Sequence, residues 1–378
     1  MQFTDQHRAL DETVTRFVRQ EIDPHVEAWE RAEQFPSREI FKKLGDLGLL
    51  GIKYPEAYGG LGLDFSYSMV MAEAIGAARC GGVPMAIGVH TDMCTPALAR
   101  FGSDALRREF LAPSIAGDLI GCIGVSEPGG GSDVAAVRTS ARKDGDDYLI
   151  DGSKMWITNG NIADVAVVWA RTDDGIRGFV VPTDTAGFGA NEIHQKMSLR
   201  ASVTSELVLE DVRLPADAVL PGVVGLRGPL SCLNEARFGI VFGTLGAARD
   251  SLQTAIDYSI DREQFDKPIA GYQLTQKKLA DMTLELGKGM LLALHLGRLK
   301  DQHVITPEQV SLGKLNNARE SLAIARECRS ILGGNGITLE YPIIRHMNNL
   351  ESVFTYEGTN EMHTLVVGHA LTGIPAYR

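Results

Sequence analysis

The sequence predicts an α+β chain of three consecutive zones: helical, then strand-rich, then helical again. Three observations carry this. Apolar residues recur at three- and four-residue steps near both ends, the middle holds short β-branched and aromatic runs, and strands and helices nowhere alternate. The expected boundaries are 1–115, 116–222 and 223–378.

In the first zone Phe17, Val18, Ile22 and Val26 share one helical face, as do Ile40, Leu44, Leu47 and Leu49–Leu50. The Gly/Pro-rich stretch Tyr54–Gly62 reads as the loop that follows. In the second zone Tyr148–Ile150 and Lys154–Thr158 read as two strands joined by an Asp151–Gly152 hairpin turn. The unbroken apolar run Val165–Ala170 suits a strand covered on both faces, with further strands at Gly178–Val181 and Glu206–Leu209. In the third zone Leu279, Met282, Leu286, Met290, Ala293 and Leu296 form one long stripe. Thr306-Pro307-Glu308-Gln309 has capping-box spacing, so a helix is predicted to start there.

Composition narrows the function. The chain has 378 residues, 37 basic and 48 acidic, for a net charge of −11. That balance excludes the basic face of a nucleic-acid binder. No run of about eighteen apolar residues suggests a membrane span, and the acidic and polar start Met1-Gln2-Phe3-Thr4-Asp5 shows no secretory pattern. The five cysteines, Cys80, Cys94, Cys122, Cys232 and Cys328, are scattered without a CxxC pair. Neither a metal site nor a disulfide framework is indicated, and buried free thiols in a cytoplasmic protein are expected.

Five stretches have the residue types for chemistry. Cys122–Asp133 contains Gly129-Gly130-Gly131 between Ser126 and Ser132, so its backbone could approach a flat heteroaromatic ring or a phosphate closely; it also reads as a surface turn. In Lys154–Gly160 strand alternation would put Trp156 and Thr158 on one face, suited to stacking on and hydrogen-bonding a ring edge; Trp156 reads equally as core. In Asn349–Glu361 the acidic Glu357 lies between Tyr356 and Gly358. A carboxylate in an apolar cleft becomes a base competent near neutral pH, whereas a solvated loop glutamate does not. Arg262–Phe265 with Gln273, and Leu332–Gly336, read separately as a charged helix end and a glycine cap.

Together, in this order, these stretches resemble the acyl-CoA dehydrogenase family: Ser126-Glu127-Pro128-Gly129-Gly130-Gly131-Ser132-Asp133, Lys154-Met155-Trp156-Ile157-Thr158-Asn159, Asp261–Phe265, Leu332–Gly336 and Thr355-Tyr356-Glu357-Gly358-Thr359. Leu233–Arg237, Gln276–Met282 and Leu371–Ile374 are most similar to the glutaryl-CoA dehydrogenase and short-chain acyl-CoA oxidase branch. The resemblance implies an N-terminal helical domain, a middle β-barrel and a C-terminal four-helix bundle, assembled as a homotetramer. It implies FAD as cofactor and Glu357 as the base that takes the α-proton. Gly358 would offer its N–H to the thioester oxygen, together with a flavin ribityl hydroxyl, and Tyr356 would lie at the substrate. Ile123, Val125, Ser126, Gly131, Ser132, Trp156, Thr158 and Thr359 would contact the flavin half. Arg262, Gln264, Phe265, Gln273, Gly333 and Gly334 would hold the adenosine diphosphate half, partly from a neighbouring subunit. Ser132, Asn234 and Arg237 would follow the CoA arm.

Two departures bear on specificity. Glutaryl-specific members of the family place an arginine near the position of Gly82, to pair with the distal carboxylate of the substrate. The stretch Cys80–Ile87 supplies no such cation, and Arg79 would have to shift by a turn to replace it. A short or branched apolar acyl chain is therefore expected rather than glutaryl. Asp266 stands where most members have glycine, close to the expected pyrophosphate. Electrons would pass to an electron-transferring flavoprotein; oxygen as acceptor, a carrier-protein thioester as donor, and a catalytically dead scaffold are the alternatives.

Overall fold

The computed structural model describes residues 3–376, so Met1, Gln2, Tyr377 and Arg378, the outermost positions of the expected domains and of the N-terminal pattern, lie outside the described residues. The first helices are α1 (Asp5–Phe17), α2 (Val26–Ala32), α3 (Ser37–Asp46), α4 (Phe65–Gly76), α5 (Gly82–Val89), α6 (Thr95–Phe101), α7 (Asp104–Leu106) and α8 (Ala112–Ile115). Phe17, Val18, Ile22, Val26, Ile40, Leu44, Leu49 and Leu50 share one core, as the periodicity predicts, and Val14 and Phe41 join it. Helix α3 ends at Asp46, however, so Leu47 falls on its cap and is exposed.

The middle strands are β1 (Gly121–Gly124), β2 (Ser140–Asp144), β3 (Asp147–Thr158), β4 (Val165–Thr172), β5 (Gly175–Pro182), β6 (Phe188–Glu192) and β7 (Thr204–Pro215). They form one sheet in the order β1-β4-β2-β3-β7-β6, with β5 on β4. Among the described residues no pairing joins β6 back to the far edge, so the expected barrel is an open, curled sheet. Residues Val165–Ala170 of β4 are buried throughout, in line with their unbroken apolar run.

The expected Asp151–Gly152 hairpin is not there: β3 runs straight through both residues. The turn lies earlier in the chain, at Gly145-Asp146, where Asp144 of β2 faces Asp147 of β3 and Gly145 has φ 66°. Gly152 serves a different purpose. The register against β7 slips between Ile150 and Gly152, and a Cβ there would meet Thr139 at 2.7–2.9 Å. It is a bulge glycine, which lets the long strand bend.

The C-terminal part holds α9 (Arg227–Asp261), a two-strand hairpin β8 (Glu263–Gln264) and β9 (Lys267–Pro268), then α10 (Gln273–Asp301), α11 (Pro307–Ile331), α12 (Ile343–Thr355) and α13 (Asn360–Thr372). The predicted capping box opens α11, with the Thr306 N–H donating to Gln309 Oε1 at 2.9 Å. The long α9 packs on α11 and α10, and also on α4 of the first part. Asn159, buried and with φ 68°, ties the sheet to the N-terminal helices: its Nδ2 donates to Ala86 O at 2.9 Å and Gly121 O at 3.3 Å. All five cysteines are buried and free. Among the described residues no cluster could hold a metal ion, and no helix is long and apolar enough to cross a membrane.

Candidate active site

Helix α12 stops at Tyr356, and α13 starts from Thr359, whose hydroxyl accepts the Met362 N–H at 3.2 Å. Only Glu357 and Gly358 remain to redirect the chain, and both have left-handed backbone, φ 55° and 94°. Glycine is at home there; a glutamate is strained by about 1–3 kcal/mol and must be held. Three surrounding helices hold it. Arg237 of α9 donates from Nε to Glu357 O at 2.8 Å and from Nη1 to Asn234 Oδ1 at 2.7 Å. Lys314 of α11 donates from Nζ to Gly358 O at 2.8 Å, and Nε2 of His363 on α13 lies 3.2 Å from Glu357 O.

The carboxyl itself is differently placed. Glu357 Oε2 is buried and has no hydrogen-bond partner among the described residues. Burial pushes this carboxyl up to about 7, against the pull of Arg237 and Lys314. The same burial pushes Lys314 down to about 7, with Glu357 opposing. His363 is driven down to about 3 by burial, then by Arg237 and Lys314, so it is neutral at physiological pH. Tyr356 beside them has its phenol pushed up, by burial first and by Glu357 second.

Glu357 and Tyr356 line a cavity of about 160 Å³ between α4, α5, α9 and α12. Its walls are mostly apolar, including Met71, Ile75, Met85, Ile240, Leu350 and Val353, and the backbone of Gly239 and Gly243 allows it to approach α9. Gly82 does not open this space. A Cβ there would meet Ser202 N at 2.3 Å, so no arginine fits without a backbone shift. Arg79 is also committed, its guanidinium reaching Asp250 at 3.3–3.4 Å and its N–H donating to Asp23.

The glycine-rich stretch forms a tight turn, with Glu127 and Gly130 exchanging backbone hydrogen bonds at 3.0–3.1 Å. A Cβ on Gly129 or Gly130 would meet nothing within 4 Å, and Ser132 is exposed. Ile123 and Val125 pack in one apolar cluster with Leu233 and Ala236 of α9, beside Asn234 and Arg237. Trp156 corrects the alternation argument. A bulge between Lys154 and Ile157 gives it φ 63° and leaves it 64% exposed, while Thr158 two residues on is buried. A large aromatic held outward on strained backbone fits a flat ring as its partner.

Under this loop Lys154, fully buried, donates to Glu127 Oε1 at 2.9 Å. Burial alone would raise Glu127, but Thr139, the Arg138 N–H and Lys154 together hold it down at about 2. Lys154→Met leaves that half-buried carboxylate without its cation. The expected loss of unfolding free energy is about 3 kcal/mol, the low end for a broken buried pair because the Thr139 and Arg138 donors persist. Urea denaturation measures it, and a loss under 1 kcal/mol would dismiss the pair as an anchor.

The remaining expected contacts lie elsewhere. Arg262, Gln264, Phe265, Gln273, Gly333 and Gly334 are all exposed; Phe265, at 90% exposure, sits at the hairpin tip with φ 54°, next to Asp266 with φ 64°. Arg262 follows Arg237 by 25 residues of α9, roughly 37 Å of helix, so one chain does not bring both sets to one place. Four residues at the site escaped the sequence reading: Lys53, Lys314, His363 and Asp92. For Lys314 a signal existed, since it follows Val310 by four on the buried stripe of α11, where a lysine has no solvent to reach.

Family models describe the same three parts. The acyl-CoA dehydrogenase N-terminal domain matches residues 4–118, the middle domain 122–212 and the C-terminal domain 224–372. The chain belongs to the acyl-CoA dehydrogenase family, whose members use FAD. It is 35% identical to the short-chain specific acyl-CoA dehydrogenase of Bos taurus mitochondria, over 98% of this chain and 91% of that one. A solved glutaryl-CoA dehydrogenase from Mycobacterium smegmatis in complex with FADH2 is 57% identical with a TM-score of 0.97, covering 100% of this chain and 97% of that one. A chain in the structure of the electron transferring flavoprotein of Acidaminococcus fermentans is 31% identical with a TM-score of 0.94, covering 98% and 99%.

Proposed function

We propose that this enzyme oxidises a short acyl-CoA thioester to its 2-enoyl form, with FAD bound between the glycine-rich loop and Trp156. The supporting observation is the unpartnered, buried Oε2 of Glu357 on the wall of an apolar cavity. Such a carboxylate has no competing donor and can accept a carbon-bound proton. Glu357 takes the α-proton. The Gly358 N–H, at the end of the held turn, donates to the thioester oxygen as negative charge develops there. Tyr356 keeps one side of the cavity dry. FAD, when bound, supplies the two-electron acceptor for the β-hydrogen and its electron pair. Ile123, Val125, Ser126, Gly131, Ser132, Trp156, Thr158 and Thr359 would hold its ring end, and Asn234 the CoA arm along with Ser132. Arg237 acts on the turn instead of the arm, because its guanidinium is already bonded to Glu357 O and Asn234.

The distance along α9 supports a second subunit's Arg262, Gln264, Phe265, Gln273 and Gly333-Gly334 turn holding the adenosine diphosphate end. Exposed Phe265, Leu274, Leu284 and Leu291 suit burial in a homotetramer. Light scattering should give four times the 40.9 kDa chain mass; a monodisperse monomer that retains FAD would refute the shared site.

Glutaryl is disfavoured although a glutaryl-CoA dehydrogenase is among the similar structures. With Gly82 walled by Ser202, Arg79 bound to Asp250 and the charge of Lys53 already matched by Asp92, a distal carboxylate would meet no uncompensated cation among the described residues. Anaerobic flavin bleaching is expected with butyryl-CoA and to be at least about tenfold less efficient with glutaryl-CoA, a penalty of about 1.4 kcal/mol or more. Equal efficiency would overturn this specificity. Electron-transferring flavoprotein is the proposed acceptor; stoichiometric peroxide release without it would make oxygen the acceptor instead.

A further inference from the structure

Besides Glu357, two charged side chains stand in the wall of the mostly apolar acyl cavity. Lys53, just before the Gly/Pro-rich loop begins, and Asp92, after α5, form an ion pair of 2.8 Å, Nζ to Oδ1. Asp92 Oδ2 lies against α9 where Gly239 leaves room for it; a Cβ at Gly239 would come within 2.8 Å of that oxygen. The neighbouring hydroxyls are already engaged: Tyr54 donates to Thr91 O, and Thr91 Oγ1 to Ile87 O, each at 3.0 Å. Behind the pair Arg100 and Lys300 bond Glu235, whose charge also favours the ammonium of Lys53.

An ion pair in a cavity wall retains unused hydrogen-bonding capacity, here further Nζ donors and Oδ2 as acceptor. An apolar chain end pressed on it would strip its water without replacing those bonds. A distal carboxylate would be set beside Asp92, whose charge repels it. A hydroxyl meets both demands, accepting from Lys53 Nζ while donating to Asp92 Oδ2. We propose that Lys53 and Asp92 form a subsite for a neutral hydroxyl near the distal end of the acyl chain, so that the preferred substrates are hydroxyacyl thioesters. This rests on the reading of the cavity as the acyl site.

The test compares kcat/KM, by anaerobic bleaching, within two length series: pentanoyl-, 5-hydroxypentanoyl- and glutaryl-CoA, then hexanoyl-, 6-hydroxyhexanoyl- and adipoyl-CoA. In at least one series the hydroxylated member should exceed its apolar counterpart by about tenfold or more. The double variant K53M/D92L should reverse that order, and D92N, which keeps the side-chain volume, should reduce the ratio. Should the double variant fail to fold, the wild-type ratios and D92N still decide. An apolar member equal to or better than its hydroxylated counterpart in both series would overturn the subsite, as would a carboxylated member that is best. Oxidation of none of the six, nor of butyryl-CoA, would instead refute the dehydrogenase reading beneath it.

Discussion

Glu357→Gln is expected to lower the rate of anaerobic flavin reduction by an acyl-CoA at least about a thousandfold, while FAD and thioester binding persist. General-base contributions run about 10²–10⁴-fold, and the upper range applies because the other carboxylate in the cavity wall, Asp92, is engaged by Lys53. The other helix position from which members of the family can supply a base falls near Ala255, which is fully buried in an apolar cluster with Ala248, Leu252 and Met282. In the wild type, kcat/KM should rise with pH through an acid limb near 7, because Glu357 must be ionised to act and burial pushes its carboxyl up to about 7. The same shift has a stability consequence of fixed sign. Between its ordinary value of about 4.3 and 7, the folded chain keeps a proton that the unfolded chain releases. Stability therefore declines as pH rises through that window, and the glutamine variant escapes the decline. At pH 8 it should be more stable than wild type by on the order of 1–3 kcal/mol, visible in a denaturation midpoint. A variant that keeps most of its activity, or one with an unchanged pH profile of stability, would remove Glu357 from the role of buried base.

Much of this architecture was readable before any coordinates, and the failures have a common physical origin. Periodicity located α10 and the buried strand β4, and the capping box located α11, because each signal is local and tertiary contacts reinforce it. Gly152 misled because a glycine after an aspartate has the same sequence signature in a hairpin turn and in a bulge. Only the slipped register against β7 and the contact with Thr139 distinguish them. Trp156 was placed by strict alternation, which a second bulge suspends. The site residues divide the same way. Glu357 and Gly358 stood out because an acidic residue next to a glycine after an apolar helix is locally unusual. Arg237, Lys314 and His363 come from three other helices, and their convergence on two backbone carbonyls is a property of packing alone. Asp92 gave no local sign, since a carboxylate at the end of an apolar helix normally faces water.

That convergence makes Gly358 the most sensitive position after the base itself. Gly358→Ala adds one methyl group to a residue with φ 94°, where an L side chain is strained by about 1–3 kcal/mol. The methyl carbon would start 2.8 Å from His363 Nε2 and 3.3 Å from Arg237 Nη2. Neither can yield freely, as His363 is buried on α13 and Arg237 is bonded to both Glu357 O and Asn234. The turn must therefore move, and with it the Gly358 N–H that would receive the developing oxyanion. Losing one such donor typically costs about 10²–10³ in kcat, and a misplacement of about 1 Å is of similar severity. We expect kcat to fall at least about a hundredfold, with KM for butyryl-CoA changed far less, because the apolar cavity that grips the chain does not involve this methyl. Circular dichroism and retained FAD would show that the fold survives, since the strain is small against the stability of a chain of 378 residues. An effect confined to KM would mean that Gly358 only shapes the entrance to the cavity; an unchanged kcat would separate the held turn from the chemistry altogether.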